Sequence, residues 1–484
     1  MLANSIKQLG KASLRLPTFL AAGISLSLLA CYAAPTPAAT ETPKSADAFV
    51  DSVGINTRLS YTDWPTASNW DNPDPAQNIR QLLVNTGIRH VRDRIPNPSL
   101  EPNITYVNPR LAQLYRDNGI RFLTGIDTRN NNVLDTSKIQ SYVDWFAKGT
   151  ISLDGQAIPV RSLLEATEGP NEYDMHHHQS SRDPNWSTNL RAYQAAIHQK
   201  VRASSVLASL PILMPSLVHT PYCGSPLGSL SNVSTYGNLH SYPNYPYMKP
   251  PSSNLGWHLD NVSDCVGTKK SWVTETGYFT RTGNNKELSE ATAAKYTSRL
   301  IAEYFRSGKI SRTYLYNLVT GGVDGWGLIA AQKTSTTVNG WQQYSLRPKP
   351  SYHAVKSLNK LLGEATWSKT EKRWNAPAVN LRAINLSFEG KDANTRHLLL
   401  QKSNNRYYLL LWQEVESFNP TQGNFTPSPD KVTVVLPAGS RPQALHKYNS
   451  QFTFGRHSLE GSSSRLSIDV PDSVTVLEFI PPAQ

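Results

Sequence analysis

The sequence predicts an α/β protein: a (β/α)8 TIM barrel over residues 48–363, followed by an antiparallel β-sandwich over 364–484. Three observations predict it. Strand-like runs and amphipathic helices alternate from Ala48 to Gly363 in eight units, the pattern of parallel strands joined by crossover helices. No G-x-G-x-x-G follows the first strand and no P-loop occurs, which weakens the doubly wound, nucleotide-binding alternative without by itself closing a barrel. Past Gly363 the helical period vanishes, and short β-branched or alternating segments are separated by Gly, Pro, Asn and Ser.

The chain opens with Lys7, Lys11 and Arg15 ahead of an apolar run from Phe19 to Ala30, a signal-like pairing too short to read as a firm membrane span. The run closes on Leu28–Leu29–Ala30–Cys31, which resembles a bacterial lipoprotein signal in which Cys31 becomes the lipidated first residue. Cleavage near Ala33–Ala34 and a retained single anchor stay open. All three place the body outside the cytoplasm, as an outer-membrane lipoprotein or a periplasmic or secreted protein. Residues 32–47, rich in Pro, Ala and Thr, are expected to be a flexible tether.

Phe49–Val53 reads as the first strand, with Asn56 just beyond it. Ile79, Leu82 and Leu83 share a helix face stopped by Gly87. Ile88–Ile95 is the second strand and carries Arg92 and Arg94 on one face. Leu111, Leu114 and Tyr115 mark the next helix, and 121–127 the third strand. Ile139, Tyr142, Val143 and Phe146 form another helix face. The fourth strand runs into Glu168–Gly169–Pro170–Asn171–Glu172. A helix over 187–203 leads to a fifth strand over 206–213, and Leu239–His240–Ser241–Tyr242 is a short sixth. The seventh, 271–275, ends Trp272–Val273–Thr274–Glu275. A helix over 288–306 precedes an eighth strand over 312–318 that continues through a glycine-rich turn to Trp326.

Composition narrows the function classes. The 484 residues are 39% apolar and only 17% charged, with a formal net charge of +12. The basic residues are scattered rather than blocked, which argues against nucleic acid as a partner and leaves an acidic glycan or a surface as the electrostatic fit. Of three cysteines, Cys31 falls in the leader; Cys223 and Cys265 remain free to form one disulfide in an oxidising compartment, with two thiols as the open alternative. No C-x-x-C occurs, and the adjacent His176, His177 and His178 cannot readily converge on one ion, so neither metal nor cofactor is expected. No G-x-S-x-G elbow is present for Ser-His-Asp chemistry.

Glu172 and Glu275 each follow a strand, and in a barrel all such ends face one mouth. Glycosidic cleavage needs one carboxyl group to protonate the leaving oxygen and another to attack the anomeric carbon or activate water. The residues 48–363 resemble the retaining glycoside hydrolases of clan A. There an Asn-Glu pair ends the fourth strand, here Asn171–Glu172, and a second Glu ends the seventh, here Glu275. The Glu-Gly-Pro-Asn-Glu form is most similar to family 39 and related bacterial exopolysaccharide hydrolases. The resemblance implies Glu172 as acid/base and Glu275 as nucleophile. It implies Asn171 on the sugar 2-hydroxyl, His240 or Tyr242 on the nucleophile or the sugar, and Arg92 keeping the nucleophile ionised, with Arg94 as its rival on the same strand face. Trp326 would be an aromatic platform and Asn56 a further contact. Aromatic loop residues (Trp64, Trp70, Tyr222, Tyr236, Tyr245, Tyr247, Trp257) fit several sugar subsites. The expected substrate is a polysaccharide or oligosaccharide, the expected protein a monomer. A transglycosylase or a non-catalytic glycan-binding lipoprotein on the same scaffold remains the alternative.

Overall fold

The computed structural model describes residues 39–61, 64–177, 183–281, 287–322 and 324–482. The leader, Cys31, the start of the tether and His178 lie outside the described residues.

Eight parallel strands form the barrel: β1 Val53–Asn56, β2 His90–Arg92, β3 Arg121–Gly125, β4 Leu164–Glu168, β5 Ile212–Leu213, β6 Gly237–His240, β7 Ser271–Thr276 and β8 Ile310–Leu315. Their order is β5-β4-β3-β2-β1-β8-β7-β6. The seam between β5 and β6 is held by a parallel bridge of Leu213 to Tyr236, with Met214 N–H donating to the Tyr236 carbonyl at 3.1 Å. The ring is therefore nearly closed. Leu123, Ala166, Leu213, Trp272 and Tyr314 fill its interior as a layer of their own. Gly54 is required there, because a Cβ on it would lie 2.5 Å from the Tyr314 ring.

Below that layer sits a polar floor. His90 contacts Glu165 through Nδ1 at 2.5 Å and Asp51 through Nε2 at 2.9 Å, and the Tyr314 hydroxyl donates to Glu165. Burial alone would raise the Glu165 carboxyl, but the charges of His90 and Arg312 and these hydrogen bonds outweigh it and hold it down at about 2.

Three expectations are corrected. The fifth strand is only Ile212–Leu213, because the chain turns over 205–210 and leaves Val206 exposed. Phe49–Val50 belong to a helix, Ala46–Asp51, rather than to the first strand. Ser45 caps it by accepting from Ala48 N–H at 3.2 Å, and Ala46, Phe49 and Val50 lie on its buried face at helical spacing. The tether also ends earlier than residue 47. Ala39–Glu41 pairs antiparallel with Ile384–Glu389, and Lys44–Ser45 pairs parallel with Thr395–Gln401. Unpaired backbone at two sheet edges is satisfied this way.

These pairings make the chain entry part of the C-terminal sheets. One has four strands: Ala39–Glu41, Ile384–Glu389, Asp430–Val435 and Arg465–Val470. The other has six: Lys44–Ser45, Thr395–Gln401, Tyr407–Gln413, Thr475–Ile480, Arg441–Tyr448 and Phe454–Ser458. Leu386, Leu399, Leu409, Val432, Val434 and Ile468 bury together between the two sheets. The alternate residues Leu398, Leu400, Tyr408, Leu410 and Trp412 point the other way and join the core of the barrel. A period of two thus serves two cores from one sheet. Arg299, fully buried on the helix Glu290–Arg306, ties the parts further by donating to the carbonyls of Gln413 and Val415. A hairpin, Ile329–Val338 with Trp341–Pro348, follows the eighth unit and has no counterpart in the sequence reading.

Candidate active site

The C-terminal strand ends surround a cavity of about 740 Å3 lined by Asn56, Arg92, Glu168, Asn171, Glu172, Glu275 and Tyr316 among others. Each strand delivers its residue by local pattern. On β2, His90 and Arg92 are two apart and share the inner face, and Asn238 and His240 do the same on β6. On β7, Thr274 and Glu275 are adjacent, yet both reach the site. The pairing register with β6 shifts between Leu239 and His240, and with β8 between Val273 and Thr276. A bulge of this kind re-aims a side chain that strict alternation would turn away.

Arg92 is the hub. Its Nε donates to Glu168 Oε1 at 2.6 Å, Nη1 to Glu275 Oε1 at 2.5 Å and to Asn56 Oδ1 at 3.0 Å, and Nη2 to Asn171 Oδ1 at 2.7 Å. Burial opposes its charge, but Glu168 and Glu275 more than compensate, and its proton is held far above the usual range. Arg94 lies past the strand end, is half exposed, and pairs with Glu101 instead.

Glu275 accepts from Arg92 on one oxygen and from the Tyr242 hydroxyl on the other at 2.8 Å. Burial would raise its carboxyl; the charges of His240 and Arg92, with the bonds from Tyr242 and Arg92, reverse that and lower it, so it stays ionised. Glu172 has a different setting. Among the described residues no arginine pairs with it, and its side chain contacts His240 Nδ1 at 2.6 Å. Its backbone sits at φ +47°, in the left-handed region that non-glycine residues seldom adopt, and its N–H donates to Ser216. Oxygens of Glu172 and Glu275 lie within 4.8 Å of each other.

The protonation of His240 follows from its other side. Asn238 Nδ2 donates to Glu168 Oε2 at 3.0 Å, so Asn238 Oδ1 accepts from the Thr274 hydroxyl at 2.6 Å. Thr274 has then given its proton and accepts from His240 Nε2–H at 3.1 Å. Nδ1 is left facing Glu172 across a gap that holds one mobile proton. Burial pulls His240 down, but the Glu275 charge and the bond and charge of Glu172 prevail and raise it above the ordinary histidine value.

The remaining expected residues divide. Asn171 accepts from Arg92 through Oδ1 and lines the cavity. Asn56 lines the cavity, but its polar atoms are engaged by protein: Nδ2 donates to the Thr274 and Leu315 carbonyls and Oδ1 accepts from Arg92, so it positions Arg92. Trp326 packs its ring 4.6 Å from Tyr242 and 5.3 Å from Tyr245 and is not among the residues lining the cavity. Cys223 and Cys265 form a disulfide, with Cα atoms 4.9 Å apart. Of the aromatic loop residues, Trp70 is buried and Tyr236 packs on Trp272, whereas Tyr245, Tyr247 and Trp257 are exposed. Glu168 was not assigned from the sequence, although it sits two residues from Ala166 on the inner face of β4 and is the anion that locks Arg92. Glu172, His240 and Glu275 are close enough to grip a metal ion, but both Glu275 oxygens accept from Arg92 and Tyr242, and the His240 nitrogens face Glu172 and Thr274.

No protein-family model and no curated protein matches the chain by sequence. Solved structures do match its fold. They include a family 51 α-L-arabinofuranosidase from Bifidobacterium longum, at 10% identity over 93% of this chain and 98% of that one, TM-score 0.56. A bacterial orthologue of human α-L-iduronidase matches at 11% identity over 89% and 84%, TM-score 0.54. A family 39 glycoside hydrolase from Bacteroides cellulosilyticus WH2 matches at 13% over 90% and 82%, TM-score 0.52. The chain shares its fold with glycoside hydrolases of clan A.

Proposed function

We propose that the protein is a retaining glycoside hydrolase that cleaves a polysaccharide outside the cytoplasm. The observation that carries this reading is the pair Glu172 and Glu275, with oxygens within 4.8 Å of each other in one cavity and opposite hydrogen-bond settings. Retention uses carboxyl groups about 5–5.5 Å apart, whereas inversion leaves a wider gap for water. Glu275, ionised and aimed by Arg92 and Tyr242, attacks the anomeric carbon. Glu172 gives the leaving oxygen the proton it shares with His240. A glycosyl ester on Glu275 forms as the glycosidic bond breaks, and water, deprotonated by Glu172, then releases the sugar. Asn171, pinned by Arg92, presents its amide to the sugar hydroxyls.

The extracytoplasmic setting rests on the leader pattern ending at Cys31 and is supported by the disulfide, which persists in oxidising compartments. The deciding experiment is reducing-end release from a panel of bacterial and plant polysaccharides by the wild type and Glu275→Gln. Turnover by the wild type, product with retained anomeric configuration by NMR, and loss of turnover in the folded variant are expected. Undiminished turnover in Glu275→Gln sinks the mechanism.

A further inference from the structure

Arg58 follows β1 by two residues and lines the same cavity as Glu275 and Tyr316. Both of its flanks are pinned by Asp93, which accepts from the Thr57 hydroxyl at 2.6 Å, Leu59 N–H at 2.6 Å and the Ser60 hydroxyl at 3.0 Å. The Arg58 backbone lies at φ +56°, and its carbonyl accepts from the Thr66 hydroxyl at 2.9 Å. The guanidinium is boxed by three rings, 5.1 Å from Tyr61, 4.7 Å from Trp64 and 5.2 Å from Tyr316, and Nη2 donates to the Tyr316 hydroxyl.

The charge balance of the lining singles this residue out. Arg92 pairs with Glu168 and Glu275, Arg94 with Glu101, Arg129 with Asp127, and Lys138 with Asp135. Among the described residues, no carboxylate lies within 4.0 Å of Arg58. A cation-π box fixes a guanidinium but leaves its positive charge and most of its N–H fork unspent. A planar fork of that kind, rigidly held beside a sugar site, suits an oxyanion bound bidentately.

We propose that Arg58 is a specificity-determining residue that binds an anionic substituent, a uronate carboxylate or a sulfate ester, on the sugar at or next to the cleavage point. The glycan is thereby an acidic one. The proposal rests on the glycosidase reading for the site, but its test reads binding, so the two can fail separately.

The test uses the full chain in a Glu275→Gln background, so that probes survive, with and without Arg58→Gln. Titration calorimetry compares oligogalacturonate and oligoglucuronate with their carboxyl-reduced counterparts, and sulfated carrageenan oligosaccharides with desulfated ones. At least one acidic probe is expected to bind tenfold or more tightly than its neutral counterpart, and Arg58→Gln to erase most of that advantage. Which pair shows it separates carboxylate from sulfate. Arg58→Lys, which keeps the charge, is expected to retain part of the preference. The proposal is overturned by neutral probes binding as well as all acidic ones, or by a preference that survives Arg58→Gln. Near-UV circular dichroism matching the parent shows that the box has not collapsed; a collapsed Arg58→Gln leaves Arg58→Lys to decide, by the same acid-over-neutral ratio.

Discussion

Arg92 and Tyr242 reach the two oxygens of Glu275, whereas among the described residues a ring nitrogen of His240 reaches the Glu172 side chain. The same side chain thereby sits in two different settings. A hydrogen bond to a charged group contributes about 1.5–3 kcal/mol, so Tyr242→Phe is expected to lower kcat/KM by roughly ten- to a hundredfold with little change in melting temperature. The pH profile should carry the signature of the pair. Glu275 is lowered, so the acidic limb falls below the ordinary value of 4.5. His240 is raised, so the proton it shares with Glu172 persists past pH 6.5 before the basic limb sets in. His240→Asn takes that ring out of the titration, and the basic limb is expected to move while the acidic limb holds; kcat/KM measured from pH 3 to 10 checks both. An unmoved basic limb removes His240 from the proton path.

At the level of strands, the fit of Gly54 to Tyr314 is a sharp constraint. With ring atoms 2.5 Å from where a Cβ would stand, Gly54→Ala forces overpacking that costs about 1–3 kcal/mol. A lower melting temperature with intact secondary structure is expected in thermal scans. The disulfide closes the connection between β5 and β6 onto the helix Leu255–Val266, and Cys265→Ser is expected to cost about 2–4 kcal/mol in denaturant unfolding. Strand-level signals also explain what could be read in advance. Glu172 and Glu275 were legible because Gly169–Pro170 and Gly277 punctuate their strands, and the helical period made the alternation plain. Phe49–Val50 misled because a six-residue helix is too short to show a period against β-branched neighbours. Glu168 stayed hidden because its partner, Arg92, lies 76 residues away, and only barrel closure brings them together. Arg58 looked like any loop arginine, since its aromatic box is assembled from the segments that follow β1 and β8.

For the molecule as a whole, the barrel and the C-terminal sheets share one core. Leu398, Leu400, Tyr408, Leu410 and Trp412 are buried with barrel residues, so a chain ending at residue 363 bares the faces they cover. Such a truncation is expected to be insoluble or to bind hydrophobic dye, whereas the full chain is not; a soluble, active fragment contradicts the shared core. Acid stability belongs to this scale too. Glu165 is lowered from 4.5 to about 2, so its contribution is present above about pH 4.5 and is lost as pH falls toward 2. Glu165→Gln is expected to flatten the loss of stability over that window, read as denaturation midpoints at successive pH values.

The pairing of residues 39–45 with the C-terminal sheets also has a meaning in time. Thr40 bonds Asn385 across a separation of 345 residues. At roughly 5–20 residues per second, synthesis delivers the first of these strands on the order of 20–70 s before its partner exists. Residues 39–45 must wait through the making of the whole barrel before strands at 384–401 lock them. Synthesis past the barrel is therefore a condition for placing residues 39–41, and a nascent chain stalled anywhere before residue 384 leaves them unpaired.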